Sequence, residues 1–507
     1  MRIKRFIGVL FVSSLLMSAC YRPGPGAKVW QVSGVDGNGG GYLASATAEP
    51  FSASGGVVSQ PETTPTPNEP VTLPTLRSES VQYTVQAGDS LAKIALHYQV
   101  TIDQILQYNE IANPNQIEVG LVLLVPPPSF DTSASAFKII PDSELIYSPS
   151  NAGFDIASFV NGFDSYLANY EEEVDGKMLS GIEVLKRVST EYSVNPRILL
   201  TALEYQSGWV TKRNPDQSTR SYPMGFYDSW RQGLYSQLSQ AASLLNEGYY
   251  LWKIEAINIW TLSDGTAVEV DPTINAGTAG VLNLMRYLTT LSTWDGAISR
   301  TGIYATYYGF FGYPFDHAYE PVIPDDLTQP ELQLPFKVGD VWSLTSGPHA
   351  GWDAGSAWAA LDFAPPGDSL GCNVSASWVV ASSSGEIVYA QDGVVVQDLD
   401  GDGVWQTGWS ILYMHISSWE RVEVGAILEA GDPIGHPSCE GGYSTGTHLH
   451  IARRYNGEWI AADADLPFVM DGWVSAGYGV EYDGYLAKGD QIVEAWDGRS
   501  PYNAIQR

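Results

Sequence analysis

His448-Leu449-His450 is the part of this 507-residue chain whose residue types and spacing say most about chemistry. Residues two apart on a strand point to the same face, so both imidazoles converge on one site. Zinc takes His nitrogen and carboxylate oxygen, and a catalytic zinc keeps one position open for water. A third ligand must therefore come from elsewhere in the chain. Five of the seven His (His349, His415, His436, His448, His450) fall after residue 340. His97 and His317 stand alone and read as surface or structural residues, and His436, in a turn after Gly435, reads as a surface residue. The surrounding sequence is Gly-rich, with short β-prone runs such as Gly385-Glu386-Ile387-Val388-Tyr389 and Trp409-Ser410-Ile411-Leu412-Tyr413. Turn signals separate these runs, which predicts a sheet or sandwich.

The triplet has company. Gly347-Pro348-His349, Ala360-Leu361-Asp362-Phe363, Tyr413-Met414-His415, Gly425, Gly431-Asp432-x-Ile434-Gly435 and Ser444-Thr445-Gly446-Thr447-His448-Leu449-His450 follow one another in order. Over about residues 335 to 465 these resemble the lysostaphin-type zinc metallopeptidases. The resemblance implies that His349, Asp362 and His450 ligate one zinc. It implies that His415 and His448 stay unligated, position and deprotonate the attacking water, and stabilise the tetrahedral oxyanion. The common pattern places the Asp four residues after the His, whereas Asp362 follows His349 by thirteen. That wider gap is similar to the β-lytic and staphylolysin branch. Asp353, four residues after His349, is the rival ligand, but Asp362 fits the family context better. The implied reaction is hydrolysis of a peptide bond in peptidoglycan stems or cross-bridges. A non-catalytic envelope scaffold or activator of another wall hydrolase would be marked by loss of a ligand, and none is lost.

Two smaller features share this region. Cys372 and Cys439 are the only cysteines besides Cys20, and an exported compartment permits their pairing; two separate thiols is the alternative. Asp398-Leu399-Asp400-Gly401-Asp402-Gly403 has the spacing that opens a calcium loop. Trp409 stands where such a loop closes with Glu, and a Gly-Asp-Gly hairpin turn explains the run equally well.

Upstream, residues 137–328 predict helices. Met178, Ile182, Leu185 and Val188 recur at helical intervals, and Asn195 with Pro196 is a strong helix start. Val194-Asn195-Pro196 through Ala202-Leu203-Glu204-Tyr205-Gln206-Ser207-Gly208, with Asn275-Ala276-Gly277-Thr278-Ala279, resembles the lysozyme-like transglycosylase fold. Gln206 stands where that family has its general-acid Glu, and an amide cannot donate the proton. Glu204 lies ~200° around the helix from it. A non-catalytic helical domain is the expectation.

Residues 80–128 read as strand, helix, helix, strand. Tyr83-Thr84-Val85-x-x-Gly88-Asp89-Ser90-Leu91, Asn109, Ile117, Gly120 and Pro126 resemble a LysM module. The resemblance implies binding of N-acetylglucosamine-containing glycan between Gly88, Asp89, Ser90 and Leu91 and the later loop Asn113, Pro114, Asn115, Gln116 and Ile117.

At the N-terminus, Arg2, Lys4 and Arg5 precede an apolar run from Phe6 to Met17 and Ser18-Ala19-Cys20. This is a secretory signal too short to span a bilayer. Leu16-Met17-Ser18-Ala19-Cys20 resembles a bacterial lipoprotein box, which implies lipid on Cys20 and a membrane tether outside the cytoplasm. Residues 20–79, rich in Ser, Thr, Pro and Gly, read as an unfolded spacer. The formal charge of −31 excludes a nucleic-acid binder, whose affinity needs a basic surface. The fold class is therefore multidomain: a small β-α-α-β LysM module, a mainly α lysozyme-like middle, and a mainly β metallopeptidase domain over 335–490 with an antiparallel sheet.

Overall fold

A computed structural model describes residues 65–111, 113–130, 134–367 and 371–507. The signal segment, Cys20 and most of the spacer lie outside the described residues. From residue 65 the chain is not a free spacer. Asn68 and Val71 donate their backbone N–H groups to Thr273 and Pro272, and Val71 and Leu73 pack on the core of the helical region.

The module that follows has the expected order. Strands Val81–Thr84 and Val122–Val125 pair antiparallel, and helices Leu91–His97 and Ile102–Tyr108 lie between them. Ser90 caps the first helix by accepting from the Lys93 N–H, and Thr101 with Gln104 forms a capping box on the second. Val85, Leu91, Ile94, Val100, Ile105, Leu123 and Val125 make its small core.

The region from Ile139 to Val322 is mainly helical, with helices Gly181–Tyr192, Pro196–Ser207, Leu234–Lys253, Ala276–Leu288, Leu291–Ile298 and Ile303–Phe311. Asn195 caps the second by accepting from the Arg197 N–H, Pro196 holds its first position, and Gly208 ends it at φ +68. Met178, expected on the preceding helix, instead lies exposed on the strand Lys177–Ser180. The helix starts later because Ser180 and Glu183 form a capping box there.

The C-terminal domain is an antiparallel sheet whose strands run, side by side, Ile427–Leu428, Gly385–Gln391, Val394–Asp398, Trp409–Met414, Leu449–Tyr455, Ala360–Ala364, Val341–His349 and Ala504–Gln506. The strand Glu458–Trp459 folds back on Leu449–Tyr455. The sheet thus draws on the chain's last residues, beyond the expected boundary at 490, because Ala504–Gln506 completes its edge against Val341–His349. Alternation divides its faces. Leu361, Phe363, Val395, Ile411, Tyr413, Leu449 and Ile451 build the domain's own core. Ala360, Val394, Val396, Leu412, Met414 and Ala452 point the other way and share a core with the helical region. Both faces are buried, which explains the nearly continuous apolar runs of these strands. Asp362 and His450 belong by alternation to the second face.

Candidate metal centre

Strand register builds the centre. His450 sits directly opposite Asp362 in one ladder and opposite Met414, the residue before His415, in the next. His349 ends the strand that pairs on the far side of Asp362. Three donor atoms meet: His349 Nε2 lies 3.0 Å from His450 Nδ1, and each lies 3.2 Å from Asp362 Oδ1.

The outer nitrogens explain what this cluster wants. His349 Nδ1 is 2.8 Å from the Gly347 carbonyl, and His450 Nε2 is 3.0 Å from the Gly351 carbonyl. A carbonyl only accepts, so each ring spends its N–H there and turns a lone pair inward. Asp362 Oδ1 is buried and has no hydrogen-bond donor. Two imidazole lone pairs and a carboxylate oxygen at such distances repel unless a cation sits among them. The donor set, two N and one O on a rigid sheet, fits zinc with a position left open.

Two further imidazoles flank the donors. His448 Nδ1 is 2.7 Å from the Gly446 carbonyl, which leaves its Nε2 toward the centre, 3.7 Å from Asp362 Oδ2. His415 Nδ1 is 3.1 Å from the Glu440 carbonyl, and its ring centroid is 4.4 Å from that of His448. Burial, with His448 and His450 alongside, pushes His415 down to about 3, so it is neutral around pH 7 with a lone pair on Nε2. The side chain of His448 is 18% exposed, against 5% for His349 and 6% for His450, so solvent reaches the centre on its side.

The sequence-predicted residues therefore converge, and Asp353 does not join them. Its carboxylate accepts from the Tyr192 hydroxyl at 3.1 Å, on the helical region. Cys372 and Cys439 form a disulfide. Beside it, Thr447 donates its N–H to the Gly371 carbonyl and accepts from the Asn373 N–H, which fixes the segment leading into His448. His436 is not the surface residue expected: it is buried between Trp419 and Trp378, with Nδ1 2.9 Å from the Ser377 carbonyl. Tyr482, unmarked by any motif, stacks on His349 at 4.8 Å from a strained backbone with φ +70. Glu481 beside it accepts from the Ala350 N–H. No local spacing signals either residue, because they reach the site from a separate hairpin.

Elsewhere, Asp89 accepts from the Tyr83 hydroxyl and the Gln86 N–H, Leu91 is buried, and Asn113 to Gln116 form an exposed turn. Glu204 is committed to the turn after its helix, accepting from Val210 and Thr211. Asp398 is pushed up to about 6 by burial and by Asp400 and Asp402.

With this geometry in view, the comparisons are specific. Residues 367–462 match the model of peptidase family M23. The C-terminal sheet is an M23 metallopeptidase domain. Residues 83–126 match the LysM domain model, and residues 138–322 match the model of the LasA N-terminal domain. Over 304 residues the chain is 29% identical to Protease LasA of Pseudomonas aeruginosa, covering 55% of this chain and 67% of that protein. Over 172 residues it is 27% identical to beta-lytic metalloendopeptidase of Lysobacter enzymogenes, covering 32% of this chain and 90% of that protein. Among solved structures, the M23 metalloprotease pseudoalterin aligns over 36% of this chain and all of its own, at 22% identity and TM-score 0.29. The chain is a metalloendopeptidase carrying a LysM module. Among the described residues no helix is long and apolar enough to cross a membrane.

Proposed function

We propose that this chain is an exported, envelope-bound zinc endopeptidase that hydrolyses peptide bonds in peptidoglycan stems or cross-bridges. The observation that carries the reading is the meeting of His349 Nε2, His450 Nδ1 and Asp362 Oδ1, each within 3.2 Å of the others, with two unligated imidazoles beside them. Zinc held by these three would supply Lewis acidity to a water and to the scissile carbonyl.

The chain's own groups then divide the work. His448, its Nδ1–H given to Gly446, offers Nε2 to take the proton of the attacking water and return it to the leaving amine. His415, fixed by Glu440, offers its Nε2 lone pair to position the attacking water, and the His448 imidazolium formed on proton uptake donates to the tetrahedral oxyanion. Thr447 and the Cys372–Cys439 bridge hold this side of the site in register.

Targeting rests on the other segments. The LysM module holds N-acetylglucosamine glycan through Gly88–Leu91 and Asn113–Ile117, and lipid on Cys20 tethers the protein to a membrane. The helical region is a lysozyme-like domain without a general acid: Gln206 is an amide and Glu204 is occupied by Val210 and Thr211. Names of the matched relatives, a protease and a lytic metalloendopeptidase, agree with peptide cleavage. The test is the product released from purified peptidoglycan. New amino groups support the reading, and reducing ends or anhydro-sugars in their place overturn it.

A further inference from the structure

We propose that the tip of the hairpin between strands Val394–Asp398 and Trp409–Met414 binds a calcium-class divalent cation, with Glu386 of the neighbouring strand supplying the acidic ligand that the loop lacks at its closing position. Asp398, Asp400 and Asp402 each offer a carboxylate oxygen within 4.8 Å of the other two. Acidic turns are common without ions, and Asp400 and Asp402 are exposed and accept from the loop's own N–H groups and the Thr407 hydroxyl, but Asp398 is not satisfied in this way. Asp398 is fully buried; its Oδ2 accepts from the Gly403 N–H at 3.0 Å, while Oδ1 has no partner. Ser410, directly opposite Asp398 in the ladder, also buries an Oγ without a partner. A buried carboxylate oxygen with no donor is costly unless it is paired or coordinates a metal.

The structure also answers the objection raised by Trp409 at the loop's last position. Glu386 opposes Asp398 on the other side of its strand. Its Oε2 lies 3.9 Å from where a Cβ on Gly403 would stand, so it borders the loop that carries Asp400 and Asp402 although it stands outside the close group of three. Among the described residues no Lys or Arg forms an ion pair with any of these four carboxylates. An all-oxygen, carboxylate-rich set with flexible geometry suits calcium, which takes 6–8 oxygens, whereas magnesium demands a stricter octahedron. Gly401, Gly403 and Gly408, all at positive φ, let the loop fold around the cluster, and a side chain on Gly408 would collide with the Asp400 carboxylate.

The position says what the ion does. The strand Trp409–Met414 separates it from His415 by ~20 Å at ~3.3 Å per residue, so it takes no part in the zinc chemistry. The same loop seats Trp405 edge-to-face on Tyr147 at 5.2 Å. It also binds Asn456, which donates in turn to the Val322 carbonyl. The cation stiffens the hairpin on which the helical region rests.

The experiment uses the full chain after treatment with a calcium chelator, with terbium luminescence sensitised by Trp405 and Trp409 and thermal unfolding with and without calcium. The expected result is one saturable terbium site, displaced by calcium, and a Tm raised by several degrees. Folded Asp400→Asn/Asp402→Asn protein should lose both responses, and Glu386→Gln should bind calcium at least tenfold more weakly, each with zinc content unchanged. No saturable response in the wild type, or one that survives the double substitution, would overturn the site. Unchanged affinity in Glu386→Gln would overturn the fourth ligand.

Discussion

Asp362 and His450 face each other across a single antiparallel ladder, with Asp362 Oδ1 3.2 Å from His450 Nδ1. Directly opposed side chains stand only ~5 Å apart at Cβ, so the ladder itself holds two metal donors together at no cost in loop ordering. His349 joins from the next strand. Such a site is as rigid as the sheet that carries it.

Ligand identity can be tested by stoichiometry. His349→Ala or Asp362→Ala should leave less than a tenth of the wild-type zinc after dialysis, measured by atomic emission. Asp353→Asn should keep about one zinc per chain, because Asp353 is occupied with Tyr192. Retention of zinc by Asp362→Ala together with its loss in Asp353→Asn would reverse the assignment.

His448→Ala and His415→Ala should separate metal binding from chemistry. Each should keep its zinc while kcat falls by about 10²–10⁴, the usual worth of a positioned acid–base group. Loss of zinc from either variant would show that it serves as a ligand instead.

The bridge between Cys372 and Cys439 spans 67 residues. Its removal by paired Ser substitutions should lower stability by up to about 4 kcal/mol on the loop-entropy scale. Activity should fall more than zinc content, because the bridge neighbours Thr447 and so the ring of His448. Equal activity and Tm in the paired variant would deny the bridge any role.

Much of the centre was legible in the residues themselves. His448-Leu449-His450 on a strand, and Asp362 inside an apolar β-run, announce their side-chain directions through alternation. What stayed hidden was contributed by backbone or by distant strands. The carbonyls of Gly347, Gly351, Glu440 and Gly446 fix the tautomers, yet any residue type could supply them. Tyr482 and Glu386 reach their sites through pairing that leaves no local spacing. His436 looked like a turn residue because its partners, Trp378 and Trp419, lie 58 and 17 positions away in sequence. The helical region was recognisable by caps at Asn195 and Gly208, while the strand Lys177–Ser180 was masked by Met178 continuing the helical interval.

Glu458 links the two large parts. It is buried and accepts from the Tyr249 hydroxyl at 3.0 Å and from Lys253, both on the helix Leu234–Lys253. Lys253 is partly exposed and is re-solvated in Glu458→Ala, but the buried Tyr249 hydroxyl loses its acceptor, which costs about 1–3 kcal/mol. Differential scanning calorimetry should show a lower Tm, and limited proteolysis should become faster between the helical region and the sheet. A Tm within a degree of wild type would mean that the pair contributes nothing to the interface.

The central claim is that His349, Asp362 and His450 hold a catalytic zinc served by His448. The most direct measurement is zinc content alongside amino-group release from purified peptidoglycan, for the soluble chain from about residue 65, which keeps Asn68, Val71 and Leu73 on the helical core, and its His448→Ala variant. The account predicts about one zinc in both proteins and release of amino groups by the wild type alone. Absence of zinc from the folded wild type, or equal release by the variant, would contradict it.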